Sequence, residues 1–185
     1  ALIARRAALN TPATQVSVND LLVRAAALAL IAHPALNAQL DGDEIQSGVH
    51  ADISVAMATD NGLIAPVVRS AEEKTPAAIG AEIRGFARRA QANQLTWEDI
   101  AGGTFTISNL GMYAIDRFDA IINPPQVGIL AVGAAADRVI ARNGQPLIVK
   151  MATLTLSADH RVVDGAVAAQ FLAGLKSLIE GPSAL

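Results

Sequence analysis

A two-layer α/β sandwich, a mixed β-sheet covered by helices, is the fold class this sequence predicts, and three observations predict it. Short runs rich in β-branched residues alternate with helical runs along the chain. Two turn sequences, Asp60-Asn61-Gly62 and Asn143-Gly144, have the chemistry of tight hairpins, so part of the sheet is antiparallel. No repeat, low-complexity tract or internal boundary divides the 185 residues, which suffice for one domain with a substantial core.

The elements follow in order. Residues 1–9 read as the tail of a helix already under way, so the chain is expected to begin inside a larger protein. Ser17-Val18-Asn19-Asp20 resembles a capping box, with Asp in place of Glu, opening a helix that ends near His33-Pro34. From Leu21 to Ala32 that helix is apolar on nearly every side except at Arg24, as a central core helix should be. Glu44 to Val49 reads as a short strand. In a second, Ile53, Val55 and Met57 alternate with Asp52, Ser54 and Ala56, and a hairpin turn then leads into Leu63 to Val68. Thr75-Pro76 caps an amphipathic helix to about Asn93. Ile79, Ile83, Phe86 and Ala90 share its inner face, and its arginines are expected to be solvated.

Thr96 to Asp99 forms a helical turn, and Gly102-Gly103 leads into the strand Thr104 to Ser108. Period-two alternation puts Phe105 and Ile107 on one face, and Thr104, Thr106 and Ser108 on the other. After Asn109-Leu110-Gly111, a loop restricted by Pro124-Pro125 precedes a buried strand from Gln126 to Ala135. Arg138 to Ala141 and Pro146 onward form a hairpin. Val149 to Leu156 reads as a strand buried on both faces. Ala166 to Lys176 is the last helix, with Asp164 at its N-cap.

Composition narrows the function. A net charge of −3 and 3% aromatic residues leave neither the electrostatics nor the stacking surface for nucleic acid. A hydrophobic content of 52% is high for a soluble monomer and points to apolar surface buried against other subunits, the alternative being a compact alanine-rich core. No run reaches the roughly 18 to 20 apolar residues of a membrane span, and a signal peptide is not expected, since the chain opens in what reads as a helix already under way. The lack of cysteine excludes disulfides, thiolate-ligated zinc and a cysteine nucleophile, and fits a reducing compartment. His33 and His50 show no metal-ligand spacing with His160, so no metal is expected. Glycines are too sparse for a phosphate loop between Glu44 and Val68.

Chemistry concentrates at Asp159-His160-Arg161-Val162-Val163-Asp164-Gly165, an H-x-x-x-D-G signature between a strand and the last helix. An imidazole there can take and return a proton at neutral pH. The donor within its reach is a thiol, which must belong to a substrate because the chain has none. The plainer reading is a structural histidine that hydrogen-bonds its loop.

Together with Phe105-Thr106-Ile107-Ser108-Asn109-Leu110-Gly111-Met112, this stretch closely resembles the catalytic domain of the dihydrolipoamide acyltransferases, which form the cores of 2-oxo acid dehydrogenase complexes and share a fold with chloramphenicol acetyltransferase. Residues 59–69 and Ile121 to Gln126 add matching blocks, and the similarity covers nearly the whole chain. The resemblance implies acyl transfer between the thiols of dihydrolipoamide and coenzyme A. His160 would be the general base, Ser108 would donate a hydrogen bond to the oxyanion, and Asp164 would orient the site. It implies a homotrimer with its active sites between subunits, built into a cubic or dodecahedral core. Decarboxylase and dihydrolipoamide dehydrogenase components would bind through regions outside this chain. Residues 1–185 would be the catalytic domain without its first strand and helix. The lipoyl group would sit on a domain elsewhere, because Lys74, Lys150 and Lys176 lack the attachment setting. The blocks look most like acetyl-transferring members, such as those of pyruvate dehydrogenase complexes, and less like succinyl or branched-chain types. A location in the bacterial cytoplasm or the mitochondrial matrix would follow. Which residues hold coenzyme A stays open, since none of the arginines is singled out.

Three rivals remain. A serine hydrolase would need Ser108, His160 and Asp164 as a triad, but residue 106 is a threonine where a nucleophile elbow has glycine. A peptide-synthetase condensation domain usually has two adjacent histidines and is far longer. A catalytically inactive core-forming subunit is the alternative from a different class, and retention of His160, Ser108 and Asp164 argues against it.

Overall fold

The computed structural model describes residues 1–60 and 62–185. Asn61, the centre of the first predicted hairpin turn, lies outside the described residues. A first helix, α1 (Leu2–Leu9), leads to α2 (Val18–Ala32). The predicted capping box is present at α2: the Ser17 hydroxyl accepts the Asp20 N–H, and the Asp20 carboxylate accepts the Ser17 N–H. Leu21, Val23, Ala25, Ala26, Ala27 and Leu30 are fully buried, which makes α2 the central helix of the helical layer.

A short hairpin of β1 (Ala38–Asp41) and β2 (Glu44–Ser47) follows. Only the second of these strands is evident from alternation. The signal for the first is Asp41-Gly42, where Gly42 takes a φ of 59° that a side chain would resist. Next come β3 (Ile53–Val55), β4 (Met57–Thr59), β5 (Gly62–Ile64) and β6 (Val67–Val68). The single strand expected across 52–57 is therefore two. β3 lies in the main sheet, whereas β4 leaves it at Ala56 to pair with β5. Ser54, between Ile53 and Val55, is itself buried, being 1% exposed.

Helix α3 (Pro76–Gln91) starts at the predicted Thr75 cap, and α4 (Trp97–Ile100) starts at a Thr96–Asp99 capping box. Not all the arginines of α3 are merely solvated. Arg89 makes a bidentate pair with Asp99 at 2.6 and 2.8 Å, and this holds the Asp99 carboxyl down at about 2.

The strand β7 (Phe105–Asn109) is followed by β8 (Gly128–Val132), the exposed hairpin β9 (Ala136–Arg142) and β10 (Gln145–Met151), β11 (Leu154–Ala158) and α5 (Gly165–Glu180). Asn143 and Gly144 both adopt positive φ, as a two-residue hairpin requires. The expected doubly buried strand over Val149 to Leu156 is not formed. Its first half belongs to β10, which pairs only with β9 and is largely exposed. Its second half is β11, half-buried at a sheet edge. An apolar run reports the need for a partner surface, not which surface supplies it.

The main sheet has the order β11-β8-β7-β3-β6, with parallel pairs β8/β7 and β7/β3 and antiparallel pairs at both edges. Mixed and backed by helices, it is the predicted two-layer sandwich. Phe105 and Ile107 of β7 face the helices, and the Phe105 ring lies 5.7 Å from that of Phe171 on α5. The opposite face carries a buried polar network instead. Thr106 donates to Gln126 Oε1 at 2.5 Å, and Gln126 Nε2 donates to Ser54 Oγ at 2.8 Å. Gly103 packs on this network, where an added Cβ would lie 2.2 Å from Ser54 Oγ and 2.9 Å from Gln126 Nε2. Gly103→Ala is therefore expected to cost about 1 to 3 kcal/mol through overpacking and a broken hydrogen bond. A urea-unfolding midpoint equal to that of the parent would contradict this.

Candidate active site

The hydroxyl-bearing face of β7 positions the first candidate. Thr104 Oγ1 bonds Asn37 Oδ1 at 2.6 Å, and Thr106 is engaged with Gln126. The Ser108 hydroxyl makes no hydrogen bond among the described residues. It is half-buried and lines two cavities, of about 1080 Å³ and about 820 Å³. Beside it, Asn109 ties the strand end down: its Nδ2 donates to Asn19 Oδ1 at 3.0 Å, and its Oδ1 accepts the Gly111 N–H at 2.9 Å. A serine whose two strand neighbours have committed hydroxyls, while its own stays free over open space, can donate to a bound oxygen.

His160 sits in the turn between β11 and α5, exposed, and lines neither cavity. The turn takes its shape from Asp159. That residue's carbonyl accepts the N–H groups of Val162 and Val163, and its carboxylate accepts the Arg161 N–H and pairs with the Arg161 guanidinium. The Arg161 contact holds Asp159 at about 2. Asp164 is the N-cap of α5 as expected, accepting the Val167 N–H at 2.8 Å.

Strand register decides how these groups relate. Ser108 pairs with Ala131, and Ala131 with Thr155. From Thr155, β11 runs antiparallel for three more residues, away from the end of the sheet where Ser108 lies, before His160 is reached. That separates the two by roughly 10 Å along the strands and another 10 Å across two of them. Within one chain the structure does not bring Ser108 and His160 together.

The whole chain, residues 1–185, matches the family model of the 2-oxoacid dehydrogenases acyltransferase (catalytic domain). This chain belongs to that family. Relatives include the dihydrolipoyllysine-residue acetyltransferase component of the pyruvate dehydrogenase complex of Rickettsia bellii, 48% identical over 169 residues. The match covers 91% of this chain and 40% of that protein. The mitochondrial counterpart from Schizosaccharomyces pombe is 46% identical, over 98% of this chain and 39% of its own length. The chain thus spans about two fifths of the length of these relatives. Among solved structures, a probable dihydrolipoamide acetyltransferase from Listeria monocytogenes superposes with a TM-score of 0.92 at 32% identity, covering 97% of this chain and 79% of that one. The cubic core of the pyruvate dehydrogenase multienzyme complex superposes at 0.91 and 31% identity, covering 99% and 76%. Chloramphenicol acetyltransferase, at 0.57 and 16% identity over 96% and 82%, shares the fold.

Elsewhere in this acyltransferase-family chain, His50, Glu72 and Glu73 are the one group among the described residues whose ligand atoms lie within 4.8 Å of one another. Their contacts already account for them. His50 Nδ1 bonds Glu72 Oε1 at 2.7 Å, Glu72 Oε2 accepts the Ala51 N–H, and the carboxylates raise the His50 pKa, the Glu72 hydrogen bond foremost. Sequence reasoning did not find the side chains that share the cavities with Ser108, among them Arg6, Arg84 and Trp97. They come from three separate helices, and no local pattern links them.

Proposed function

We propose that the chain catalyses acyl transfer, with acetyl as the group carried, between dihydrolipoamide and coenzyme A in the core of a 2-oxo acid dehydrogenase complex. The observation that carries this reading is the free Ser108 hydroxyl at the junction of two cavities, which gives two thiol substrates separate approaches to one oxyanion donor. In the forward step His160 takes the proton from the coenzyme A thiol, and the thiolate attacks the thioester carbonyl of acyl-dihydrolipoamide. A carbon–sulfur bond forms while the carbonyl electron pair moves onto oxygen, where Ser108 donates its hydrogen bond. Collapse expels the dihydrolipoamide thiolate, which recovers the proton from the imidazolium. Asp164 holds the turn by capping α5 and takes no proton.

Support comes from a related case. A serine, a histidine and an asparagine were the subject of crystallographic and enzymatic investigations on the catalytic mechanism of Azotobacter vinelandii dihydrolipoamide acetyltransferase, whose structure superposes here with a TM-score of 0.91 at 31% identity. On our reading Ser108 and His160 take the first two roles, and Asp164 stands for the third. Because the pair is split within one chain, His160 is supplied by an adjoining copy of a homotrimer. The β9–β10 hairpin fits assembly. Val139 and Ile148 are cross-strand partners, each 70% exposed, a poor arrangement for a surface that stays in water.

The test is a comparison of acetyl-, succinyl- and isobutyryl-dihydrolipoamide as donors to coenzyme A with the full-length protein. The acetyl donor is expected to lead in kcat/KM by about tenfold or more, as one or two methylenes or a carboxylate in a fitted pocket discriminate. A lead by another donor would overturn the acetyl assignment. No transfer from any donor would favour a core-forming subunit without activity.

A further inference from the structure

Ser108 lies where β7 loses a neighbour. Up to Ile107 the strand is held by β3, through Phe105, Thr106 and Ile107, and from Thr106 onward it is held by β8. The Ala56 N–H donates to the Ile107 carbonyl at 2.9 Å, and the chain then leaves the main sheet as β4 to pair with β5. Ser108 and Asn109 therefore keep only β8, through Ala131 and Val132. A strand end on a single ladder is the part of a sheet that yields most easily. Asn109 answers that weakness. Alternation along β7 places it on the helix-facing side with Phe105 and Ile107, and there its Nδ2 donates to Asn19 Oδ1 at 3.0 Å. Its own Oδ1 accepts the Gly111 N–H at 2.9 Å, which closes an Asx turn behind the strand. Asn19 stands in the first turn of α2, a helix start locked by the Ser17–Asp20 capping box, with Asp20 2% exposed. Among the described residues the Asn19 amide makes no other hydrogen bond, so this contact is separate from the cap.

We infer that Asn19 is a positioning residue for the oxyanion donor: through Asn109 it ties the end of β7 to the start of α2, and so does beside Ser108 what the β3 ladder does for the rest of the strand. This rests on the proposed acyl transfer, in which Ser108 donates to the oxyanion. Asn19 acts through the backbone that Asn109 shares with Ser108. The pleat turns the two neighbouring side chains to opposite faces, so bracing Asn109 from the helix side leaves the Ser108 hydroxyl clear on the other. The demand on the brace is strict, because an oxyanion donor is effective only when held within about 0.5 Å of its place, and a displacement of about 1 Å can cost 10²-fold in rate. An amide–amide hydrogen bond is directional and fixes position along the strand. An apolar contact would fill the same space without fixing it.

The experiment is a double-mutant cycle on kcat in the full-length protein, with acetyl-dihydrolipoamide and coenzyme A as substrates and thermal unfolding as the control. Asn19→Ala is expected to lower kcat about tenfold, with both KM values nearly unchanged and unfolding close to that of the parent. In a Ser108→Ala background the same change should cost less than about twofold, since a brace has nothing to position once the donor is gone. Asn19→Asp keeps an acceptor facing Asn109 Nδ2, and its carboxylate suits the first turn of a helix. That variant should retain kcat within about threefold. An equal tenfold loss in both backgrounds would overturn the inference, because Asn19 would then act on the fold and not on Ser108. So would undiminished kcat in Asn19→Ala, or a raised KM with kcat retained, which would make Asn19 a substrate contact at the larger cavity that it also lines. If Asn19→Ala folds poorly, loss of kcat in a well-folded Asn19→Asp would overturn it equally. Failure of the oxyanion reading looks different: Ser108→Ala alone would then transfer acetyl groups as fast as the parent, and the inference would fall with it.

Discussion

His160→Ala is expected to lower kcat for acetyl transfer by about 10² to 10⁴-fold, the range over which a positioned general base contributes. On the proposed reaction coenzyme A must lose a thiol proton for its sulfur to attack, the chain has no cysteine, and the other two histidines are engaged elsewhere among the described residues. His50 is bonded to Glu72, and His33 packs edge-on against Phe171 with ring centroids 6.2 Å apart. The variant should fold as the parent does, because Asp159 shapes the turn and Val163, not His160, is its buried residue. Thermal unfolding should shift little. Steady-state transfer measured beside that control settles the matter. Undiminished turnover in a well-folded variant would remove His160 from the mechanism, and a comparable loss of folding would return it to the structural role that a loop histidine often has.

Ser108→Ala is expected to lower kcat by about 10² to 10³-fold with substrate KM values nearly unchanged, since an oxyanion donor acts chiefly in the transition state. Removing this hydroxyl breaks no hydrogen bond among the described residues, in contrast to Thr106, whose hydroxyl holds Gln126. Ser108→Ala should therefore spare stability. The separation of Ser108 from His160 in the sheet makes a sharper form of the experiment available. Mixed oligomers assembled from His160→Ala and Ser108→Ala chains contain some interfaces at which an intact His160 faces an intact Ser108. Such mixtures should recover a sizeable fraction of parental activity, though each variant alone is nearly inactive. If both residues act from one chain, mixing restores nothing, and the shared-site reading fails.

Features carried by contiguous residues were legible before any coordinates. The Ser17–Asp20 and Thr96–Asp99 capping boxes, the Thr75-Pro76 helix start, the Asn143-Gly144 turn and the Asp164 cap all act over three or four residues, a range within which side-chain chemistry and backbone geometry constrain each other directly. The face assignment along Thr104 to Ser108 held for the same reason, since the pleat alone sets which side chains go together. Strand partners were another matter. The run from Val149 to Leu156 is apolar enough for one buried strand, yet β10 goes to an exposed hairpin and β11 to a sheet edge. Ser54 alternates with apolar residues in the sequence, and it is buried with its hydroxyl bonded to Gln126, 72 positions away.

The motif around His160 and the hydroxyl pattern ending at Ser108 were written in the residues, because each is a local chemical arrangement that needs only its own neighbours. That Ser108, unlike Thr104 and Thr106 on the same strand face, has an unbonded hydroxyl among the described residues, that two cavities meet there, and that His160 lies toward the far end of the sheet were decided by the packed chain. Each of these depends on which distant segments fill the remaining bonding and packing capacity around a group. Non-local closure sets that, and one-dimensional order does not encode it in any single stretch.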